Sequence, residues 1–364
     1  MKVLITGGHI TPALAVADEL KNAEVVFVGR KFALSSDSSE SLEFKEIKKR
    51  GFTFLDLPAG RLTRTLTLQT ITNVIRIPLG FLKALLIVQR EKPNVVLTFG
   101  GYIALPIAVA AYLNHVPVIT HEQTIRPGAA NRFIGRLARR IFISFPEAKK
   151  YFPLSKVILS GNPIRHEVGL IQREIPNFKK IKPILYITGG SLGSHDINKM
   201  VFEILPELLK TYIVIHQTGS STEFKDDEYA KSLKSQDYFS YDHIESDLVG
   251  FVYGQADLVI GRAGANTVFE LLALKKPSIL IPLPWSAFGE QQLHAEYMKS
   301  LGVAEVFDQT KGSDKLLLHI TEMYRSLEKY RKNFDTINLP YDSTSSAKQI
   351  SKEVLANASN ATST

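Results

Sequence analysis

Three glycine pairs, Gly7-Gly8, Gly100-Gly101 and Gly189-Gly190, each close a short aliphatic run and open onto a helical pattern. A run with no polar alternation marks a strand covered on both faces, as in a parallel sheet. Parallel neighbours need crossover connections, and glycine allows both the tight turn and a close backbone approach to a ligand. The same grammar recurs from Ala256 to Pro284: a strand at 258–260, a turn at 262–265, a helix at 266–274 and a strand at 277–281. Further strands are expected at 3–6, 24–29, 52–57, 94–98, 116–120, 140–144, 156–159, 183–188, 212–216 and 303–307. The fold class that follows is α/β, with two doubly wound parallel-sheet (Rossmann-like) domains facing across a cleft. The expected boundaries are residues 1–163, 164–340 and a C-terminal stretch, 341–364. That stretch reads as a helix near 345–355 and a small, polar, disordered tail over 356–364.

Length and composition suit two globular domains: 364 residues, 45% hydrophobic and 22% charged. The absence of cysteine removes disulfides, thiolate catalysis and cysteine-bound metals. No secretory signal is expected, since Lys2-Val3-Leu4-Ile5 runs straight into a glycine turn. No uninterrupted apolar run reaches the roughly 18–20 residues of a spanning helix. A formal charge of +8 favours anionic partners. Tracts of alternating basic and aromatic residues are missing, which argues against nucleic acid.

The stretch 66–89, rich in Leu and Ile and interrupted by Pro78 and Gly80, supports two readings. One is a pair of packed core helices. The other is an apolar patch (Ile75, Ile77, Leu79, Phe81, Leu82, Leu85, Leu86) with a basic rim, resting on an anionic membrane surface.

The turn and helix at 262–274 carry the most chemistry. A helix start leaves backbone N–H groups unpaired and partly positive, which suits an anion such as a diphosphate. Glu270, about one turn in, suits a ribose diol; it could equally serve only the helix dipole. None of the glycine turns fits G-x-G-x-x-G with a matching acid, and none is a Walker A sequence, so dinucleotide and P-loop chemistry fall away. No Asp-x-Asp pair stands at a strand end, so no metal or cofactor is expected.

In order and spacing, TGGHITPALA from Thr6, FGGY from Phe99, HEQ from His121, GNPIR from Gly161, GGSLGS from Gly189, HQTG from His216, RAGANTVFEL from Arg262 and EQQ from Glu290 resemble the MurG family of glycosyltransferase family 28. The resemblance spans nearly the whole chain. It implies the GT-B architecture and inverting transfer of N-acetylglucosamine from UDP-N-acetylglucosamine to undecaprenyl-diphospho-muramoyl-pentapeptide. It also implies peripheral attachment to the cytoplasmic face of the cell membrane.

Carried over by residue, the donor side would comprise Thr6, Gly7, Gly8, Thr124, Arg165, Ser191, Ile244, Ala265, Asn266, Thr267, Glu270, Gln291 and Gln292. Gly7 and Gly8 would also face the acceptor diphosphate with Gly100, Gly101 and Tyr102. His9, an imidazole at a strand end, is the candidate base, or else a turn residue capping the next helix. Glu122 is second, or merely pins its turn. The chain departs from the family in a short first glycine turn, in Thr124 for Asn, and in Glu290 for Asp. Three alternatives remain: a related transferase acting on another lipid, a UDP-N-acetylglucosamine 2-epimerase, and a UDP-sugar-binding protein with impaired catalysis.

Overall fold

The computed structural model describes residues 1–32, 40–57, 68–190, 192–221, 223–342 and 344–360. They divide into two units, Met1–Ile164 with Pro340–Thr364, and Arg165–Leu339. In the first, β1 (Lys2–Thr6), β2 (Glu24–Gly29), β3 (Thr53–Asp56), β4 (Val95–Thr98), β5 (Val118–Glu122), β6 (Arg140–Ile143) and β7 (Val157–Leu159) form one parallel sheet. Its order is β3-β2-β1-β4-β5-β6-β7. Successive side chains point to opposite faces. Val3 and Ile5 therefore join Val95 and Leu97 in one core layer, while Leu4 and Val96 join Val28 and Ile143 in the other. With both faces of the central strands covered, a buried polar side chain there generally needs a partner inside the protein.

The second unit repeats the plan with β8 (Ile184–Thr188), β9 (Ile213–Gln217), β10 (Tyr238–Tyr241), β11 (Leu258–Gly261), β12 (Ser278–Leu280) and β13 (Ala304–Val306). The order is β10-β9-β8-β11-β12-β13, again all parallel. Leu185, Ile187, Val214, Leu258, Ile260 and Ile279 carry its core against helices that include His195–Thr211 and Ser313–Arg325.

Three readings of the sequence need correction. Residues 66–89 are not two helices: a single helix, Leu68–Glu91, runs through Pro78. Pro78 is exposed, so water can satisfy the carbonyl its ring leaves unbonded. Second, the tail is ordered further than expected, because the last helix, Ser346–Asn360, includes residues 356–360. Ala347, Ile350, Val354 and Ala358 are all buried, so Ala358 adds one more turn to an apolar stripe. Residues 361–364 lie outside the described set. Third, that helix is no separate segment. It packs on the helix Ile10–Glu19 and belongs to the first unit. The short helices Leu42–Lys49 and Ala129–Leu137 were not anticipated, although Ser41 caps the first by accepting the Phe44 N–H at 3.1 Å.

Close backbone packing also sets the edge of the second unit. A Cβ added at Gly250, in the helix Ser246–Gln255, would stand 1.9 Å from the Leu170 carbonyl oxygen. Gly250→Ala should therefore destabilise this unit by roughly 2 kcal/mol or more in urea denaturation. Gly169→Ala, whose Cβ meets nothing within 4 Å, should stay within about 0.5 kcal/mol. Equal effects would refute the steric account.

Candidate functional site

In each unit the strand order reverses once, between β1 and β4 and between β8 and β11. Connections leaving such a pair diverge to opposite faces, and ligands of open α/β sheets bind in the crevice at its carboxyl ends. The glycine turns stand at these ends.

In the first unit, the Gly8 N–H donates to the Gly100 carbonyl at 3.0 Å, and the Phe99 N–H to the Thr6 carbonyl at 2.8 Å. A Cβ at Gly7 would lie 2.8 Å from the Phe99 nitrogen, so only glycine lets the two turns lie side by side. Half-buried Tyr102 beside them accepts from Arg30 Nη1 at 2.9 Å through its hydroxyl, whose own proton is left to donate.

His9 precedes the helix Ile10–Glu19 but makes no capping bond. Instead Gln123 Nε2 lies 2.8 Å from His9 Nδ1. Burial pushes the imidazole down to about 4, so it is neutral at physiological pH. Gln123 Oε1, Thr6 Oγ1 and His121 Nδ1 are buried at this strand end without partners. Amide nitrogen and oxygen are distinguished only by their bonding. With Oε1 turned to His9, the proton sits on Nδ1 and Nε2 becomes the basic atom.

Glu122, the second candidate base, is consumed by structure. Its Oε1 accepts the Thr124 N–H and hydroxyl, each at 2.8 Å, and Oε2 accepts Asn131 Nδ2 at 2.8 Å. Burial raises its pKa against those bonds, and the carboxyl is engaged by its own turn and by Asn131 on the next helix. The turn-pinning role is the one these contacts describe. Thr124 is likewise turned inward, its hydroxyl also 3.0 Å from the Arg126 carbonyl.

In the second unit, a cavity of about 590 Å³ opens at the ends of β8 and β11. Gly189, Gly190 and Gly193 line one side, and Gly264 and Thr267, at the start of the helix Ala265–Ala273, line another. Gly193, at φ 76°, would place a Cβ 2.0 Å from the Thr218 carbonyl oxygen, so the loop closes only with glycine there. Ser191 lies outside the described residues. Ala265 is buried, whereas Asn266 and Thr267 are half-buried.

Arg262, not anticipated as a site residue, bolts this end together. Its Nη1 donates to the carbonyls of Ile281 and Pro282 at 3.1 and 3.3 Å and to Gln309 Oε1 at 2.8 Å, and Nη2 donates to Ser194 Oγ at 2.6 Å. An arginine directly after the strand run LVIG was the available signal. Asn198 braces the same loop by donating to the Thr218 carbonyl at 2.8 Å and to Asp226 at 2.7 Å.

Glu270 does not stand open for a diol. Its Oε1 accepts Arg165 Nη2 at 3.0 Å and Nε at 3.2 Å, and Oε2 accepts the Tyr253 hydroxyl at 3.1 Å. The Glu270 charge raises the Arg165 pKa above its ordinary value. The two anticipated donor contacts are thus each other's partners here. Gln291 lines the cavity, but its Oε1 accepts the Leu283 N–H at 3.0 Å. Gln292 is exposed on the helix Glu290–Ser300, bonded to Glu296 and not part of the cavity lining. Ile244 is buried just before the helix Ser246–Gln255, also away from the lining. Among the described residues, no group of three His, Asp or Glu side chains could hold a metal ion.

Residues 6–143 match the glycosyltransferase family 28 N-terminal domain and residues 184–354 its C-terminal domain. The chain is 36% identical over 345 residues to a Clostridium tetani protein named UDP-N-acetylglucosamine–N-acetylmuramyl-(pentapeptide) pyrophosphoryl-undecaprenol N-acetylglucosamine transferase, covering 91% of this chain and 92% of that one. A Bacillus cereus protein of the same name, numbered 2, is 35% identical over 343 residues, with 91% and 93% covered. Among solved structures, Acinetobacter baumannii MurG has a TM-score of 0.71 at 23% identity, covering 98% of this chain and 99% of that one. UDP-GlcNAc 2-epimerase from Neisseria meningitidis has a TM-score of 0.65 at 16% identity, covering 98% and 100%. These two show the GT-B fold alone.

The Arg165–Glu270 pair generates a stability test. Removing the cation leaves a buried carboxylate unpaired, so Arg165→Met should cost about 3 kcal/mol in urea denaturation. The double variant Arg165→Met with Glu270→Gln should recover most of that loss. Additive losses would show that the pair is not coupled.

Proposed function

The chain belongs to glycosyltransferase family 28, and we propose that it transfers N-acetylglucosamine from UDP-N-acetylglucosamine to undecaprenyl-diphospho-muramoyl-pentapeptide, with inversion. The observation that carries this reading is the second-unit cavity, where a glycine loop and a helix start meet at the switch point β8/β11. Relatives at 35–36% identity over nine-tenths of the chain, named for this reaction, support the choice of substrates.

In this reading the second unit takes the donor. The diphosphate lies on the N–H groups at the start of Ala265–Ala273, across the cavity from Gly190 and Gly193, and the dipoles of that helix start stabilise the charge that develops as UDP departs. That supply of fixed positive potential makes a metal unnecessary. A ribose diol that takes Glu270 displaces the Arg165 guanidinium bonded to it.

The first unit takes the acceptor at the paired turns Gly7-Gly8 and Gly100-Gly101. His9 Nε2 removes the proton from the attacking sugar hydroxyl as the new C–O bond forms and the bond to UDP breaks. With the Gln123 amide turned so that Oε1 accepts from His9 Nδ1, Nε2 is the basic ring nitrogen. Glu122, through Thr124 and Asn131, holds the turn that carries Gln123.

Attachment to a membrane is peripheral in this reading. Among the described residues no helix is long and apolar enough to cross a bilayer. On Leu68–Glu91, Gly80, Ala84 and Val88 are buried, whereas Leu79, Leu82 and Leu86 are 58%, 59% and 65% exposed. Ile77, Phe81 and Leu85 are half-buried, and the Ile75 side chain lies outside the described set. Exposed Lys83 and Arg90 lie on the same helix and favour the anionic headgroups of a cytoplasmic leaflet.

The deciding assay is transfer of radiolabel from UDP-N-acetylglucosamine to a lipid-linked muramoyl-pentapeptide analogue. Label should appear in lipid, and His9→Ala should lower kcat by roughly 100-fold. Because burial holds His9 near 4, below its ordinary value of 6.5, the base form persists as pH falls through neutrality. kcat/KM should accordingly show no acid limb near 6.5. Conversion of UDP-N-acetylglucosamine to its epimer without acceptor would replace the reading with the epimerase alternative.

Membrane contact has its own check. Leu82→Asp with Leu86→Asp, both at exposed positions, should abolish co-sedimentation with vesicles containing anionic lipid and leave the thermal midpoint unchanged. Undiminished co-sedimentation would remove this helix from the membrane contact.

A further inference from the structure

The chain contains a single tryptophan, Trp285, and its ring is 70% exposed. Tryptophan is highly buried on average; single exposed apolar residues are common, but an open indole in the wall of a cavity is placed to meet what enters it. Trp285 lines the second-unit cavity together with Leu283, Gln291 and Thr267.

The segment carrying it is held in place. Pro282 and Pro284 stiffen the approach from β12. Gln291 grips the segment twice: its Oε1 accepts the Leu283 N–H at 3.0 Å, and its own N–H donates to Ser286 Oγ at 3.3 Å. Just beyond, Phe288 adopts φ 55°, a left-handed conformation that costs a bulky residue energy and is retained where the surroundings enforce it. An exposed aromatic ring on a clamped and strained loop is a preorganised surface.

We propose that Trp285 is the stacking platform for the sugar ring of the donor, and so a specificity-determining residue for which hexose is transferred. This rests on the donor reading above. With the diphosphate on Gly264 and Thr267, the donor continues on one side into ribose and on the other into sugar. Glu270, which suits the ribose, does not line the cavity, and neither does Ile244. Trp285 and Gln291 do, so their side is the sugar's. A pyranose presents C–H bonds on its faces and hydroxyls at its edges. The indole face covers the first, and the Gln291 amide N–H groups, left over once Oε1 is bonded to Leu283, serve the second.

Calorimetry of the full chain with UDP and with UDP-N-acetylglucosamine tests this, because the two ligands differ only by the sugar. Trp285→Ala should weaken UDP-N-acetylglucosamine roughly tenfold and leave UDP within about twofold, while Trp285→Phe should retain most of the affinity. The lone tryptophan's emission should shift with UDP-N-acetylglucosamine and much less with UDP. Equal weakening of both ligands by Trp285→Ala, or weakening of neither, would overturn the proposal while the donor reading stands. A shift caused by anionic vesicles and not by the sugar nucleotide would assign the ring to a membrane instead, and overturn it too. Failure of the wild-type chain to bind UDP at all would remove the donor reading and this proposal together.

Discussion

Everything in this molecule that suits chemistry follows from one feature of parallel sheets: a strand order that reverses. Crossovers leaving β1 and β4 go to opposite faces, as do those leaving β8 and β11, so the space beyond these paired carboxyl ends is not covered by a connection. Such an opening is useful only if the backbone can come close to what enters it. Hence Gly7 packs against Phe99 where a methyl group could not, and Gly193 packs against Thr218 in the same way. The helix start at Ala265 offers backbone N–H groups at one of these openings, while the Gly8, Gly190 and Gly193 N–H groups are spent inside their own turns. Polar recognition therefore begins with main chain, and side chains refine it.

Around these openings lies a shell of buried polar groups that stay solvent-poor because they satisfy one another. Arg262 ties the ends of β11 and β12 to Ser194, and Glu122 ties its own turn through Thr124 and Asn131. His216 bridges Asn198 and Tyr238 at 3.0 Å each, and burial drives its pKa down to about 3. In a medium of low polarity an unpartnered group is costly, so a charge placed there is first a structural commitment. Thr6 Oγ1 and His121 Nδ1, buried without partners at the ends of β1 and β5, stand out against that background. They sit where the first unit offers its glycine turns.

Fold and strand positions were legible because both depend on local pattern: continuous aliphatic runs, each closed by glycine or followed by a proline-started helix. Even the extent of the final helix was written in the spacing of Ala347, Ile350, Val354 and Ala358, though its small polar neighbours masked it. The helix through Pro78 was not legible, since whether a proline breaks a helix depends on whether water reaches the freed carbonyl. Side-chain partnerships were less accessible still. Arg165 and Glu270 are far apart in sequence, and nothing in either segment announces that they neutralise each other. Glu122 read as a lone carboxylate because Asn131, nine residues on, lies on a helix that the pattern of charges disguised. Arg262 and Trp285 had visible signals, an arginine closing an aliphatic strand and the chain's one indole between proline and serine, but their surroundings were needed to interpret them.

The last helix returns to a unit begun by the first strand, where Ser346 Oγ donates to the Gly161 carbonyl and Arg140 meets Glu353. The second unit is continuous in sequence, and the first is not. During synthesis the portion that leaves the ribosome earliest must wait, with the groove for Ile350 and Val354 uncovered, until the whole of the later portion has been made. The first unit is thus completed only after the second has been made in full. A nascent chain of this kind carries an open apolar seam for most of its time on the ribosome.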